Sequence, residues 1–154
     1  MNTAPVLLVD DDEMLLQALS EAIRLRMSTV NVETVASAQE ALQLLQTRDY
    51  SAVISDIQMP GMDGFALLAH VQEHYPDIPV LLITGYNDHK TAIQALHAGA
   101  YDYIRKPIER DDFVAALYRA LTTYQLRQQI KEQQHALEYY ALSLGHHIEP
   151  QAHE

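Results

Sequence analysis

Five short apolar runs, each followed by a helical pattern, restrict what this chain can fold into more than any other feature. They are Pro5 to Val9, Val30 to Val35, Ala52 to Ser55, Pro79 to Ile83 and Tyr101 to Ile104. Aliphatic and β-branched residues dominate them, as strands buried on both faces require. Between the runs, apolar side chains recur at helical spacing. Leu15, Leu16, Leu19, Ile23 and Leu25 fall mostly on one face, and so do Ala41, Leu42 and Leu45. A third helix is expected from Gly64 to Tyr75, stopped by Pro76, and a fourth from His89 to Ala98, stopped at Gly99. Ser37 followed by Glu40 fits a capping box, and Asp88 fits an N-cap. Regular β–α alternation argues an α/β fold: a doubly wound, five-stranded parallel sheet with right-handed crossovers. The short connections fit one compact domain.

Parallel strands deliver their C-terminal ends to a single edge, and in open α/β sheets ligands bind there. Four of the five runs lead into side chains with chemistry: Asp10 and Asp11, Asp56, Thr84, and Lys106. The central stretch is Ser51 to Gly64, SAVISDIQMPGMDG, in which the buried run ends at the carboxylate of Asp56 and a Pro60-Gly61 turn follows. Each residue alone has an ordinary explanation. An Asp after a strand usually caps a helix, and that is the preferred role for Asp12. A Thr at a strand end is usually structural, and a Lys before Pro is usually solvated. Their convergence on one edge is what calls for a function.

Several carboxylates within a few ångströms repel one another unless a cation neutralises them. Hard oxygen donors without His or Cys suit Mg²⁺ or Mn²⁺. Mg²⁺ binds through a few carboxylates together with substrate phosphate, so the cluster predicts phosphate chemistry. A carboxylate can itself be the nucleophile and form an aspartyl phosphate.

Composition removes other classes. There are no cysteines, so disulfides and thiolate metal sites are excluded. The formal net charge is −11. Residues 1–110 carry 7 basic and 15 acidic side chains, and residues 111–154 carry 3 and 6. No basic patch of the kind that binds nucleic acid is visible. The first residues, MNTAPVLLVDDD, lack a basic n-region, and no stretch approaches a membrane span. A cytoplasmic protein is expected. The eight histidines read as solvated helix surface or tail, too far apart to form a cluster.

VDDDE, SDIQMPGMDG, LLITGY and AGAYDYIRKP, in that order, resemble the receiver domain of two-component response regulators over residues 4–122. The resemblance implies the flavodoxin-like strand order 2-1-3-4-5. It implies that Asp56 accepts phosphate from a histidine kinase or phosphotransfer protein. Asp11 then matches the direct Mg²⁺ ligand, Asp10 the ligand that acts through a metal-bound water, and Gln58 a ligand through its backbone carbonyl. Thr84 matches the switch hydroxyl, Lys106 the phosphate-binding amine, and Tyr103 the aromatic that moves with the Thr. The Lys106-Pro107 bond is expected to be cis. Two positions depart from the pattern. Gly85 stands where the family prefers Ala, Ser or Thr, which predicts altered phosphoryl lifetime or partner choice. Asp12 adds an acid that is either an N-cap or a further metal contact.

Two rivals fit less well. A Mg²⁺-dependent phosphohydrolase of the haloacid dehalogenase type needs Asp-x-Asp-x-Thr after the first strand, but Met14 stands at the Thr position and DIQMPGMDG is left unexplained. A pseudo-receiver that is never phosphorylated usually lacks an acid, the Thr or the Lys, and all are present here.

From about Asp111 the pattern is helical to about Leu144. Phe113, Leu117, Ala120, Leu121 and Tyr124 form a face for the sheet. Thr123, Leu126, Ile130, Gln133, Leu137, Tyr140 and Leu144 then alternate spacings of three and four, an a/d seam of about three heptads. Three units are therefore expected: a receiver over 4–122, a helical extension of coiled-coil type over 123–144, and a tail or start of a linker over 145–154. Homodimerisation is expected through that extension or through the fourth helix, fifth strand and fifth helix. The chain reads as a signalling switch, not a turnover enzyme, and as the N-terminal part of a longer regulator or a stand-alone one.

Overall fold

In the computed structural model, which describes residues 4–85 and 89–152 (146–152 by backbone alone), five strands alternate with five helices. They are β1 (Val6–Val9), α1 (Glu13–Arg26), β2 (Val32–Val35), α2 (Ala38–Thr47), β3 (Ala52–Asp56), α3 (Gly64–His74), β4 (Val80–Thr84), α4 (His89–His97), β5 (Asp102–Arg105) and α5 (Arg110–Ala152). The strands are parallel in the order 2-1-3-4-5. The sheet is therefore the doubly wound, flavodoxin-like one expected from the alternation. The Asp88 cap lies outside the described residues.

Every residue of β1, β3 and β4 is buried. Their alternate side chains feed two cores. Leu7, Val9, Val53, Val80 and Leu82 pack against α2, α3 and α4, with Leu67, Leu68 and Ala95 among their partners. Val6, Leu8, Ile54, Leu81 and Ile83 pack against α1 and α5, where Leu16, Ile23, Phe113 and Leu117 meet them. Burial of this kind, at roughly 25 cal/mol per Å² of apolar area, is the main force holding the layers together. Leu25, placed by the periodicity near the α1 core face, is instead 64% exposed. Two positions after the buried Ile23, it lies about 200° round the helix, on the solvent side.

Local chemistry sets the helix starts. Asp12 caps α1 by accepting from the Met14 and Leu15 N–H groups at 3.1 and 3.2 Å. Ser37 caps α2 by accepting from Glu40 N–H at 3.2 Å, and Asp63 caps α3 by accepting from Ala66 N–H at 2.9 Å. Gly99 closes α4 at φ +100°, a conformation that favours glycine.

A polar network absent from the apolar pattern ties β2 to the α2–β3 connection. The fully buried Tyr50 hydroxyl donates to Glu33 at 2.5 Å, and Arg48 donates to the other Glu33 oxygen at 2.6 Å. Burial and the Glu33 carboxylate together push the Tyr50 phenol well above its usual range.

α5 has two unlike halves. Phe113, Ala116, Leu117, Ala120 and Tyr124 are buried against the domain. Arg127 and Lys131 extend that stripe by reaching Asp77, through its carbonyl at 3.2 Å and its carboxylate at 2.9 Å. The seam residues Leu126, Ile130, Leu137, Tyr140 and Leu144 are exposed, Leu137 by 67%. Thr123, first in the seam, is held from β5's side by the Tyr101 hydroxyl at 2.9 Å. The helix continues past Gly145 to Ala152, beyond the end expected near Leu144.

Candidate functional site

Register carries the reactive residues to one edge. β1 pairs with β3 and β3 with β4, so Asp10, Asp56 and Thr84 end neighbouring strands. Lys106 follows β5, and its N–H donates to the Thr84 carbonyl at 3.0 Å. Carboxylate oxygens of Asp10, Asp11 and Asp56 lie within 4.8 Å of one another. Asp10 and Asp56 are buried and Asp11 is exposed, so the cluster is floored by protein and open on one side.

Asp56 is held on two sides. The Lys106 ammonium approaches one carboxylate oxygen at 3.3 Å, and the Gln58 N–H donates to the other at 3.3 Å. The chain behind it has no spare room: a side chain on Gly64 would meet the Asp56 carbonyl oxygen at 2.5 Å. Gly61, at φ +77°, makes the turn that lets the loop fold back. The Lys106-Pro107 peptide is cis.

Two buried polar atoms stand out. Neither Asp10 Oδ2 nor Thr84 Oγ1 has a hydrogen-bond partner among the described residues. Leaving such atoms unsatisfied costs about 1–3 kcal/mol each. Asp10 is pushed up to about 6, first by burial and then by the nearby charges of Asp56 and Asp11, against the N–H of Asp12. An all-oxygen cluster with an orphaned buried carboxylate oxygen fits a small hard cation, and the orphaned hydroxyl fits an acceptor-rich ligand beside it.

The remaining candidates fall as follows. Asp12 points its carboxylate at the α1 N-terminus, so it is a cap. Gln58 is exposed at the rim, and Tyr103 is half-buried against the core on the α2–α3–α4 side. Gly85 is exposed, and a Cβ there would meet nothing within 4 Å. The cleft of about 900 Å³ at the opposite edge, between Asn31, Arg48, Tyr124 and Gln128, gathers no comparable cluster.

One pair of residues was missed by the apolar periodicity. His70 and His74 lie four apart on α3, and their rings meet with centroids 4.3 Å apart. The two stand side by side, with no third histidine joining them among the described residues. The i,i+4 spacing itself was the available signal.

Comparison with known proteins agrees with the geometry. The family described as "Response regulator receiver domain" matches residues 6–118. The C4-dicarboxylate transport transcriptional regulatory protein DctD of Rhizobium meliloti is 45% identical over 121 residues, 78% of this chain and 26% of that protein. The DNA-binding transcriptional regulator NtrC of Klebsiella pneumoniae is 38% identical over 79% of this chain and 26% of its own length. The chain thus spans about a quarter of these relatives. Among solved structures, the signal receiver domain of an HD domain-containing protein from Pseudomonas fluorescens superposes with a TM-score of 0.76, at 33% identity over 84% of this chain and 95% of that one. NtrX from Brucella abortus, solved with ATP, gives 0.76 at 30% identity over 86% of this chain and 30% of its own. The sheet order, the acid cluster at its edge and the matched span lead to one conclusion: this chain belongs to the response regulator receiver domain family.

Proposed function

We propose that the chain is a phosphorylation-controlled switch in which Asp56 accepts a phosphoryl group from a histidine kinase or phosphotransfer protein. The observation that carries this reading is the convergence of three carboxylates, an unpartnered threonine hydroxyl and a lysine ammonium on one sheet edge.

An Asp56 carboxylate oxygen attacks the phosphorus of a phosphohistidine. The O–P bond forms as the N–P bond breaks, and the imidazole nitrogen leaves with the electron pair and takes a proton from water. Asp10, Asp11, Asp56 and the Gln58 carbonyl would hold Mg²⁺ or Mn²⁺. When bound, the ion supplies positive charge that offsets the carboxylates and the phosphoryl oxygens. Lys106 gives up its contact with Asp56 to bind a phosphoryl oxygen, and Thr84 turns its free hydroxyl to another. Tyr103 follows the Thr, which biases the surface of α4, β5 and α5 between two states. Gly85 leaves the phosphoryl group accessible, and Asp12 stays a cap. The domain catalyses only its own phosphorylation and dephosphorylation, and does not turn over an external metabolite.

The receiver unit spans 4–122, and the helical extension runs on from 123 as the far part of α5, which reaches Ala152. Relatives about three times as long support reading the chain as the N-terminal part of a longer regulator that binds DNA, if at all, through another domain. The exposed seam would pair with a second copy. It lies beside the Tyr124–Arg127–Lys131 stripe, about 100° round the helix, so pairing need not release α5 from its own domain. Among the described residues no helix is long and apolar enough to cross a membrane, and a cytoplasmic location fits.

The test is labelling with a phosphorylated histidine kinase and with acetyl phosphate. Wild type should form a Mg²⁺-dependent acyl phosphate, and Asp56→Asn should not. Equal labelling of that variant would overturn the assignment.

A further inference from the structure

We propose that His70 and His74 form a second, separate metal site on α3, one that takes a borderline first-row divalent cation such as Zn²⁺ or Cu²⁺. Residues four apart on a helix share a face, so both imidazoles stand on one side of the last turns of α3. Their ring centroids are 4.3 Å apart and the rings are tilted by 43°. Two nitrogens bound tetrahedrally at Zn–N distances of about 2.05 Å lie about 3.3 Å apart. Rotation about χ2, which is broad for histidine, changes the nitrogen–nitrogen spacing of such a pair without moving the helix.

Three further observations point the same way. Neither imidazole has a hydrogen-bond or ion-pair partner among the described residues, so the ring lone pairs are not engaged. His74 is exposed and His70 half-buried, so a cation can reach both from solvent. The pair sits at the C-terminal end of α3, where the backbone carbonyls and the helix dipole favour positive charge.

The chemistry separates this site from the acid cluster. Imidazole selects Zn²⁺, Cu²⁺ and Ni²⁺, whereas carboxylate clusters take Mg²⁺ and Mn²⁺. The two sites occupy opposite ends of the same helix, because α3 begins at Gly64 behind Asp56 and ends at His74. Among the described residues no third His, Cys, Asp or Glu joins the pair. The bound ion therefore keeps open positions, filled by water or by a ligand from another molecule.

The experiment is calorimetric titration of the full chain with ZnCl₂ and with CuCl₂ in Mg²⁺, compared between wild type and the histidine variants so that binding at the acid cluster cancels. Wild type should bind one ion at this pair, and H70A or H74A should weaken that binding by about tenfold or more. Both variants keep the helix, because Ala is its strongest former. H135A, which removes an imidazole elsewhere, should bind as wild type does. Broadening of imidazole NMR signals by substoichiometric Cu²⁺ should fall on His70 and His74. Wild-type affinity in the H70A/H74A double variant, or broadening confined to other histidines, would overturn the proposal. The H70A/H74A variant should keep Mg²⁺-dependent labelling of Asp56, so this site and the phosphoacceptor stand or fall separately.

Discussion

The C-terminal edge of the sheet and the far half of α5 break the usual pattern in opposite directions. At the edge, polar atoms are buried without partners among the described residues: Asp10 Oδ2 and Thr84 Oγ1. Along the far half of α5, apolar side chains are exposed without partners: Leu126, Ile130, Leu137, Tyr140 and Leu144. Consistency between local and global preferences is what makes a sequence fold, and departures from it concentrate where a protein acts. The chemistry of each departure says what resolves it. Orphaned buried oxygens call for a cation and a phosphoryl group, whereas an exposed a/d stripe calls for another helix.

The largest expected effect contrasts the two halves of α5. Phe113→Ala removes a fully buried ring and should cost about 3–5 kcal/mol in urea unfolding. Leu137→Ala, at dilute protein, should change stability by less than about 0.5 kcal/mol. A comparable loss for Leu137→Ala in a monomer would mean that the far half is held by its own domain.

The second prediction concerns the edge. An acid whose folded pKa lies above its unfolded value holds its proton more tightly in the folded state. With Asp10 raised from 3.8 to about 6, stability without metal should fall as pH rises through that window, by up to about 3 kcal/mol. Mg²⁺ should restore stability above pH 6, because it binds the ionised carboxylate, and its affinity should drop as pH falls through 6. Asp10→Asn should flatten the metal-free profile and weaken Mg²⁺ binding. A metal-free profile flat between pH 4 and 6 in wild type would remove the electrostatic case for the cluster.

A third outcome sharpens the account of the seam. Ile130→Asp with Leu137→Asp should abolish self-association in sedimentation while leaving Asp56 labelling intact. Dimers that persist in that variant would place the contact on the α4–β5–α5 surface instead. A modest effect is expected at Asp12, where Ala should cost about 1 kcal/mol as a lost cap and leave Mg²⁺ affinity within about twofold. A larger fall in affinity would make Asp12 part of the cation site.

Much of this arrangement was legible in the sequence because it follows from periodicity and order. Parallel strands bring their ends together whatever the details, so Asp10, Asp56, Thr84 and Lys106 could be gathered without coordinates. Strand limits moved by a residue or two, as when β4 runs to Thr84 itself, since hydrogen bonding and not hydropathy sets them. Contacts between residues distant in sequence were not legible. The Tyr50–Glu33–Arg48 network and the Arg127 and Lys131 contacts to Asp77 depend on how loops meet. The His70–His74 pair was legible in principle, but a search for apolar helical spacing passes over it.

The uninterrupted run of α5 has a mechanical consequence. At 1.5 Å per residue, the portion from Tyr124 to Leu144 is a rod about 30 Å long. Its base is fixed at Tyr124 and Asp77 and touched by Tyr101 through Thr123. A tilt of about 10° at that base would carry the Leu144 end by about 5 Å, roughly one helical turn. If the Lys131–Asp77 pair gives way, a small rearrangement near Lys106 would be magnified along such a lever arm.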